Sequence, residues 1–521
     1  MKIIIVFLLL MTTNIAFASF DLMLITVLSD IDPIVLEDEP RPLKRQTLYE
    51  VYHQTGVRDN AELGLMRATT LSENLGKADS VFVNQYAGPV QTQAKPQQQT
   101  LIDIYQQALT NDPALASALS SNQSAQELIE QSKALYRPNI NFSAGASASE
   151  TDIEYIGVNI FRNEGRNSFE SRRYSLEARQ AIFRKDSWEK INQAKTQVSL
   201  ADKQYHLSQQ NLILRVTEAY FDVLIAQDKI DLIKSQKTAI LGQLQQAQAN
   251  FEVGTSTITD VNEAQARFDL VVSQAIAAEN EFLIAQRSIQ AITNQLPATL
   301  ATVKSDIKVA QLGQTIEDWQ QVALLNNLNV QMQQDNVAIA EREIVVAKAG
   351  HLPTLDAVAS YSNSYANSSA NGFGSDLNNG TIGIELNIPI YQGGAISSVA
   401  RQAGFEKQKA QHELDLTMRE TNLETQRHYF NLDSTIAQVR ALEQALSSTQ
   451  SQLESTILGY EVGVRTSIDV LDAQQQLYSS KRDLLQARYN YLVNIIRLKF
   501  SAGLLSPMDL EEINNQLLVD S

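Results

Sequence analysis

Apolar residues follow a period of two in four segments of the chain, as in β-strands with one apolar and one polar face. In the clearest segment the apolar positions are Ile382, Ile384, Leu386, Ile388 and Ile390. We expect four strands, at about residues 139–151, 172–184, 354–366 and 380–391. Such strands suit the wall of a membrane β-barrel, with lipid outside and water inside. Any one of them taken alone fits a β-sandwich with one wet face better, so the pattern leaves both architectures open.

A different period follows each pair of strands. Between Ser187 and Asn250 there is no proline, and apolar residues recur at every seventh position, which predicts a helix that packs lengthwise against other helices. The series is Ile191, Val198, Tyr205, Leu212, Ala219, Ala226 and Ile233. A helix of this length spans about 100 Å and cannot be buried within a compact domain. We expect long helices at about residues 187–250, 257–295, 395–458 and 466–500, with Asp186 capping the first.

The second half of the chain repeats the first. The segment FEVGTSTITDVNEAQ, which begins at residue 251, returns as YEVGVRTSIDVLDAQ at residue 460. The same offset of 209 residues carries a Tyr-Phe pair at 220–221 to another at 429–430. Two motifs at one spacing indicate a duplication. We place the first repeat at 101–310, the second at 311–503 and a C-terminal tail at 504–521.

The N-terminus predicts export. Lys2 precedes a short apolar run and the small-residue site Ala16-Phe17-Ala18, which is typical of a secretory signal peptide at residues 1–18. A membrane anchor is the alternative, but the run is shorter than the roughly 20 residues of a spanning helix. Residues 19–100 are rich in acidic residues, proline and glutamine, so we expect a partly disordered extension.

Composition excludes several classes of function. The net charge is −17, from 42 Lys and Arg against 59 Asp and Glu, which argues against binding to nucleic acid. The chain has no cysteine, which rules out disulfides, thiolate catalysis and Cys-ligated metals. Its five histidines are scattered, and no phosphate-binding lysine motif is present. We therefore expect no enzymatic activity, no cofactor and no metal site.

Two aspartates are the main candidates for a functional site. Asp469 and Asp472 are three residues apart and hence on one face of a predicted helix. Carboxylates grouped on one helix face attract cations. The alternative for Asp469 is a helix cap, because it follows Thr466 by three residues. The alternative for Asp472 is an ordinary solvated charge.

The order of strand hairpin, long helix, glycine turn and long helix, present twice behind a signal peptide, resembles the TolC family of outer-membrane efflux and secretion ducts. The resemblance covers about residues 101–518. It rests on the segments 181–183, 219–224, 251–261, 390–394, 460–472 and 487–492.

This resemblance implies a mainly α fold with a β-barrel part. Three chains would form an α-helical tunnel in the periplasm, and four strands per chain would build a twelve-stranded barrel in outer-membrane lipid. The duct would export small molecules, proteins or both, driven by an inner-membrane ABC or proton-driven transporter through a periplasmic adaptor protein. The alternative is a periplasmic coiled-coil scaffold or adaptor without a pore.

The resemblance also assigns roles to residues near the two turns. Asp469 and Asp472 would form the selectivity ring at the periplasmic entrance. Gly254 and Gly463 would be the turn glycines. The gate that holds the entrance closed would consist of Tyr460, Arg465, Asp260 and Thr259.

Overall fold

The computed structural model describes residues 98–154, 156, 165–303, 309–310, 312–369, 373–515 and 517–518. The predicted signal peptide, and the predicted extension up to residue 97, lie outside this part of the chain. The first repeat comprises α1 (Leu101–Asn111), α2 (Pro113–Ala134), β1 (Asn139–Ile153), β2 (Gly165–Phe183), α3 (Lys185–Glu252) and α4 (Ile258–Thr293). A short strand, β3 (Thr302–Val303), follows it.

The second repeat has the same order of elements. It comprises α5 (Ile316–Asn326), α6 (Leu328–Ala349), β4 (Thr354–Ala366), β5 (Ser375–Asn387), α7 (Ala395–Glu461) and α8 (Ser467–Ser501). The chain continues with α9 (Pro507–Asn514) and β6 (Leu517–Leu518). Within the described residues, no helix combines the length and the apolar character needed to cross a bilayer.

The four long strands form one antiparallel sheet in the order β1-β2-β4-β5. Its register aligns Ile140, Ala178, Ala359 and Ile382 in a row across one face. This face is apolar and yet exposed: Ile382 keeps 61% of its surface accessible and Ile384 keeps 71%. Polar pairs occupy the other face, where the Ser143 and Ser175 hydroxyls lie 2.7 Å apart and those of Ser147 and Ser171 lie 2.8 Å apart.

Two strand boundaries differ from the sequence prediction. β2 begins at Gly165 instead of about residue 172, because its pairing with β1 continues past Ser171, where the pairing with β4 stops. β5 spans Ser375–Asn387 instead of about 380–391. The alternating pattern continues through Ile388 and Ile390, but Pro389 between them has no backbone N–H to donate to a strand partner.

The long helices build the core. α3 packs against both α4 and α8, and α7 packs against α8. The predicted seven-residue series is confirmed where helices surround α3, since Leu212, Ala219, Ala226 and Ile233 are buried. The first three members of the series, nearer the strands, are half-buried.

The centre of this core contains Tyr220 and Phe221 of α3 together with Leu492 and Ile496 of α8, all fully buried. The Tyr220 hydroxyl donates a hydrogen bond to the Ala301 carbonyl at 2.8 Å, which satisfies its polar atom inside the core.

The start of α3 differs from the prediction that Asp186 caps it. The helix begins at Lys185, and the N-cap residue is Arg184, whose side chain makes no capping hydrogen bond. Asp186 therefore lies in the first turn, 3.4 Å from Lys190 Nζ, where its charge interacts favourably with the helix dipole.

Short elements at the ends of the repeats join the same core. β3 pairs with β6 in antiparallel fashion, and Leu510 and Ile513 of α9 are buried. Asn327, the N-cap of α6, accepts a hydrogen bond from the amide of Asn329 and donates one to the carbonyl of Ser501 at 2.9 Å. The strand pair connects the end of the first repeat to the C-terminal tail, and Asn327 connects the start of α6 to the end of α8.

Phe221 and Phe430 occupy equivalent positions in the two repeats, and they test this description of the core. Phe221 is fully buried, whereas Phe430 is 58% exposed. We expect Phe221→Ala to lower the free energy of unfolding by about 3–5 kcal/mol, since it leaves a cavity. The readout is the denaturant midpoint followed by far-ultraviolet circular dichroism. Phe430→Ala is the matched control, and a loss from it as large as from Phe221→Ala would contradict the assignment.

Candidate functional site at the helix turns

Each repeat folds back between its two long helices through a turn that contains glycine. Gly254, after α3, has a φ of +80°, and Gly463, after α7, has a φ of +79°. Residues with a Cβ rarely adopt such values. In the second turn the amide of Val464 donates to the carbonyl of Gly459 at 2.9 Å, which satisfies an acceptor left free at the end of α7.

The helices that follow the turns begin with matching capping boxes. The backbone amide and the hydroxyl of Thr257 both donate to Asp260 Oδ2, each at 2.9 Å. The same groups of Thr466 donate to Asp469 Oδ2 at 2.8 and 2.9 Å. A hydrogen bond from the Ser256 hydroxyl, followed by those from Thr257, lowers the pKa of Asp260. The hydrogen bonds from Thr466, first that of its amide, lower the pKa of Asp469.

Asp472 lies one turn further along α8 and contacts another helix. Its Oδ1 accepts a hydrogen bond from Arg267 Nη2 of α4 at 2.7 Å. The same guanidinium group lies 3.7 Å from Glu263 on its own helix. The Asp472 side chain is still 59% exposed, compared with 39% for Asp469. Both carboxylates are therefore accessible from solvent, and each has its own partner.

Two of the four predicted gate residues lie close to the turn of the first repeat. The Tyr460 hydroxyl, at the end of α7, accepts a hydrogen bond from Asn250 Nδ2 of α3 at 3.2 Å. Thr259 lies in the first turn of α4 and lines an open groove together with Glu263 and Arg267. Tyr460 thus connects the ends of the two longest helices.

The other two gate residues are not paired with each other within the described chain. Arg465 Nη1 lies 4.0 Å from Asp469 Oδ1, on the same turn, and the Asp260 carboxylate is engaged by its own cap. Gly459 gives Arg465 its space, because a Cβ at residue 459 would lie 2.7 Å from Arg465 Cγ. Arg465 and Asp260, which the family resemblance assigns to the same gate, therefore make no contact with each other within the described part of one chain.

Sequence reasoning did not identify three residues of this site: Asn250, Gly459 and Arg267. The repeat itself carries a signal for the first two, since the offset of 209 residues aligns Gly459 with Asn250. It also aligns Arg465 with Ser256. The half that gained a bulky arginine in its turn thus has a glycine where the other half has asparagine.

In the part of the chain that the structure describes, no group of three or more carboxylate or imidazole side chains is arranged to hold a metal ion. The site consists of capped carboxylates, interhelical polar contacts and turn glycines. Such a site can bind and orient charged solutes.

A sheet with an exposed apolar face, joined to helical hairpins of about 100 Å, is the fold of outer-membrane channel proteins. The family model described as outer membrane efflux protein matches residues 104–295 and 319–504. The chain is 34% identical to the outer membrane protein TolC of Vibrio cholerae over 433 residues, covering 81% of this chain and 94% of that protein.

Two further comparisons agree with this. The alkaline protease secretion protein AprF of Pseudomonas aeruginosa is 30% identical over 414 residues, covering 79% of this chain and 86% of AprF. A crystal structure of CusC, whose description concerns transmembrane channel formation, has a TM-score of 0.67 at 18% identity, covering 77% of this chain and 92% of CusC.

The chain belongs to the outer membrane efflux protein family. It is an outer-membrane protein and provides a duct for efflux or type I secretion. Its relatives are channel proteins and not enzymes. This membership decides against the alternative of a periplasmic scaffold without a pore.

The capping boxes can be tested with one substitution and one control. Thr257→Ala removes the hydroxyl that bonds Asp260, and we expect a loss of about 1 kcal/mol of local stability. Hydrogen exchange at neutral pH should then be roughly fivefold faster in the first turn of α4. Thr259→Ala is the control, because the Thr259 hydroxyl makes no hydrogen bond within the described structure. Equal acceleration by both substitutions would contradict the cap.

The cap should also depend on pH. Because the folded protein lowers the pKa of Asp260, the carboxylate stabilises the cap fully above the ordinary aspartate range near pH 4. That stabilisation is lost as the pH falls through the lowered pKa. The difference in local stability between Thr257→Ala and the parent, measured by hydrogen exchange in the first turn of α4, should therefore be constant around neutral pH. It should shrink only in stronger acid, where the Asp260 carboxylate takes up a proton.

Proposed function

We propose that three copies of the chain form one continuous duct, with a twelve-stranded barrel in the outer membrane and a helical tunnel in the periplasm. The observation that carries this proposal is the four-stranded sheet, in which β1 and β5 are edge strands without a further partner among the described residues. Open edges are not tolerated in lipid, and four strands are too few to enclose a path for solutes. Pairing β1 of one copy with β5 of the next removes every edge.

The two faces of the sheet support its orientation in this barrel. The exposed apolar face, with Ile140, Ile382 and Ile384, suits contact with lipid. The opposite face has serine pairs and an ion-pair cluster, in which Asp356 contacts both Arg179 and Arg184. That face suits a water-filled lumen.

We infer that the helix turns form the periplasmic entrance. Threefold symmetry would repeat the exposed carboxylates of Asp469 and Asp472 around one axis, as a ring that attracts cations and resists anions. The capping role of Asp469 does not compete with this one, because an ionised carboxylate serves both. Its lowered pKa keeps it charged across the physiological range.

The gate that we propose combines contacts within and between copies. Within one copy, Tyr460 accepts from Asn250 and Arg465 lies near Asp469. Between copies, Arg465 would reach the Asp260 and Thr259 region of a neighbour. Each of these weak contacts contributes only about 0–1.5 kcal/mol, so closure needs all of them in three copies.

The duct needs an external source of energy. No phosphate-binding motif occurs in the sequence, and we infer that the protein is not an enzyme. We propose that an inner-membrane ABC or proton-driven transporter supplies cargo through a periplasmic adaptor protein. Small molecules, secreted proteins or both would pass through the duct.

A charge placed on either face of β5 tests the barrel. Ile382→Lys puts a cation on the proposed lipid face, where it costs about 2–4 kcal/mol per copy near the middle of the membrane. We expect strong loss of heat-sensitive trimer from the outer-membrane fraction, measured by unheated gel electrophoresis. Thr381→Lys, on the proposed lumen face, is the matched control and should retain the trimer. An equal or greater loss from Thr381→Lys would reverse the assignment of the faces.

The gate is tested by single-channel recording in planar bilayers. Tyr460→Phe removes the acceptor of Asn250, and Arg465→Ser replaces the arginine with a small residue such as the first repeat has. We expect the double variant to raise the conductance several-fold by loosening the contacts that constrict the entrance. Tyr429→Phe, elsewhere on α7, should leave the conductance unchanged. A double variant that conducts like the parent would refute the gate.

A further inference from the structure

Among the described residues, the ion pair between Arg267 and Asp472 is the one polar contact that joins a proposed ring residue to a different helix. Arg267 lies on α4 and Asp472 on α8, and their side chains meet at 2.7 Å. The other ring residue, Asp469, has its arginine on the same turn at 4.0 Å. The two aspartates therefore differ in how firmly a positive charge offsets them.

The duplication shows why the site contains only one such cation. Asp472 and Glu263 occupy equivalent positions in the two repeats, and Arg267 contacts both carboxylates. The residue equivalent to Arg267 in the second repeat is Gln476. Only the first repeat therefore supplies a cation here, and that cation lies between two acids that the duplication made equivalent.

A guanidinium group at this distance from Asp472 affects how strongly that carboxylate attracts a charged solute in the entrance. The positive charge of a guanidinium group at hydrogen-bond distance partly cancels the negative charge of a carboxylate. Such a carboxylate attracts a passing cation less than a free carboxylate does. The pair is only partly buried, since the Arg267 side chain is 32% exposed. Solvent and salt therefore weaken the pair without abolishing it.

We propose that Arg267 is a specificity-determining residue of the duct, which reduces the affinity of the entrance for cations by neutralising Asp472. This inference rests on the proposed acidic ring and adds its regulation by α4. The ring then has two unequal layers: the charge of Asp469 is offset only weakly, by Arg465 at 4.0 Å, whereas that of Asp472 is offset strongly, by Arg267 at 2.7 Å.

The test is block of the reconstituted trimer by hexaamminecobalt(III), measured in planar bilayers at low salt. We expect Arg267→Gln to tighten the block roughly tenfold, since it removes a charge from each copy within about a Debye length of the ring. Arg267→Lys keeps the charge, so hexaamminecobalt(III) should block this variant as strongly as it blocks the parent. Lys229→Gln breaks another interhelical ion pair, that with Glu281, at roughly 35 Å along α3 from the turn, and should leave the block unchanged.

Aspartate variants separate this inference from the ring itself. Asp469→Asn with Asp472→Asn should abolish the block, and Arg267→Gln should have much less effect when Asp472 is already Asn. If the aspartate variants weaken the block but Arg267→Gln does not tighten it, the ring stands and the role of Arg267 is wrong. If hexaamminecobalt(III) blocks the double aspartate variant as strongly as the parent, both the acidic ring and the role of Arg267 are wrong.

Two further outcomes would also overturn the role of Arg267. An equal effect of Arg267→Gln with and without Asp472 would mean that the arginine acts independently of that aspartate. A rise in conductance with no change in block would identify the contact as a mechanical clamp between α4 and α8, without a part in selectivity.

Discussion

Unpaired backbone groups on the outer edges of β1 and β5 constrain the rest of the molecule. Each N–H or C=O group left without a partner in hydrocarbon costs several kcal/mol, and the two edge strands are 15 and 13 residues long. In the proposed trimer, neighbouring copies satisfy these groups. The symmetry that closes the sheet also repeats every side chain of the helix turns three times. In that proposed assembly, strand pairing at one end of α3 would arrange Asp469 and Asp472 as a ring at the other end, about 100 Å away.

The duplication accounts for the backbone that the two turns share, and residues that differ between the repeats account for the contacts between them. Both turns keep the glycine with positive φ and the Thr-x-x-Asp capping box, because any fold that reverses a long helix must satisfy the same backbone groups. Three of the positions that differ between the repeats shape the contacts at the turns: Asn250 is equivalent to Gly459, Ser256 to Arg465, and Arg267 to Gln476. A first repeat identical in sequence to the second would contain neither the Asn250–Tyr460 contact nor the Arg267–Asp472 contact, because glycine and glutamine would stand at those two positions.

Sequence periodicity predicted the elements well because each long helix and strand has one face with a constant environment. The buried positions from Leu212 to Ile233 and the exposed apolar row that includes Ile382 both follow from that condition. Predictions failed at the ends of elements: β2 extends to Gly165 through pairing with β1 alone, and α3 begins one residue before Asp186. The sequence pattern did not predict contacts between segments that are distant in the chain. Arg267 and Asp472 are 205 residues apart, and nothing local to either residue indicates the other.

In the proposed gate, control of the entrance by many weak contacts would have a mechanical consequence. A single buried lock of several kcal/mol would hold the turns closed, but it would need an equally large interaction with a partner to release it. The contacts at these turns are at least partly exposed and each is worth about 0–1.5 kcal/mol, yet the proposed symmetry repeats each of them three times. A modest interaction at each of three equivalent turns can then shift the equilibrium cooperatively. Separation of α8 from α4 would break the Arg267–Asp472 pair in the same movement, so that opening of the entrance and exposure of its full negative charge become one event.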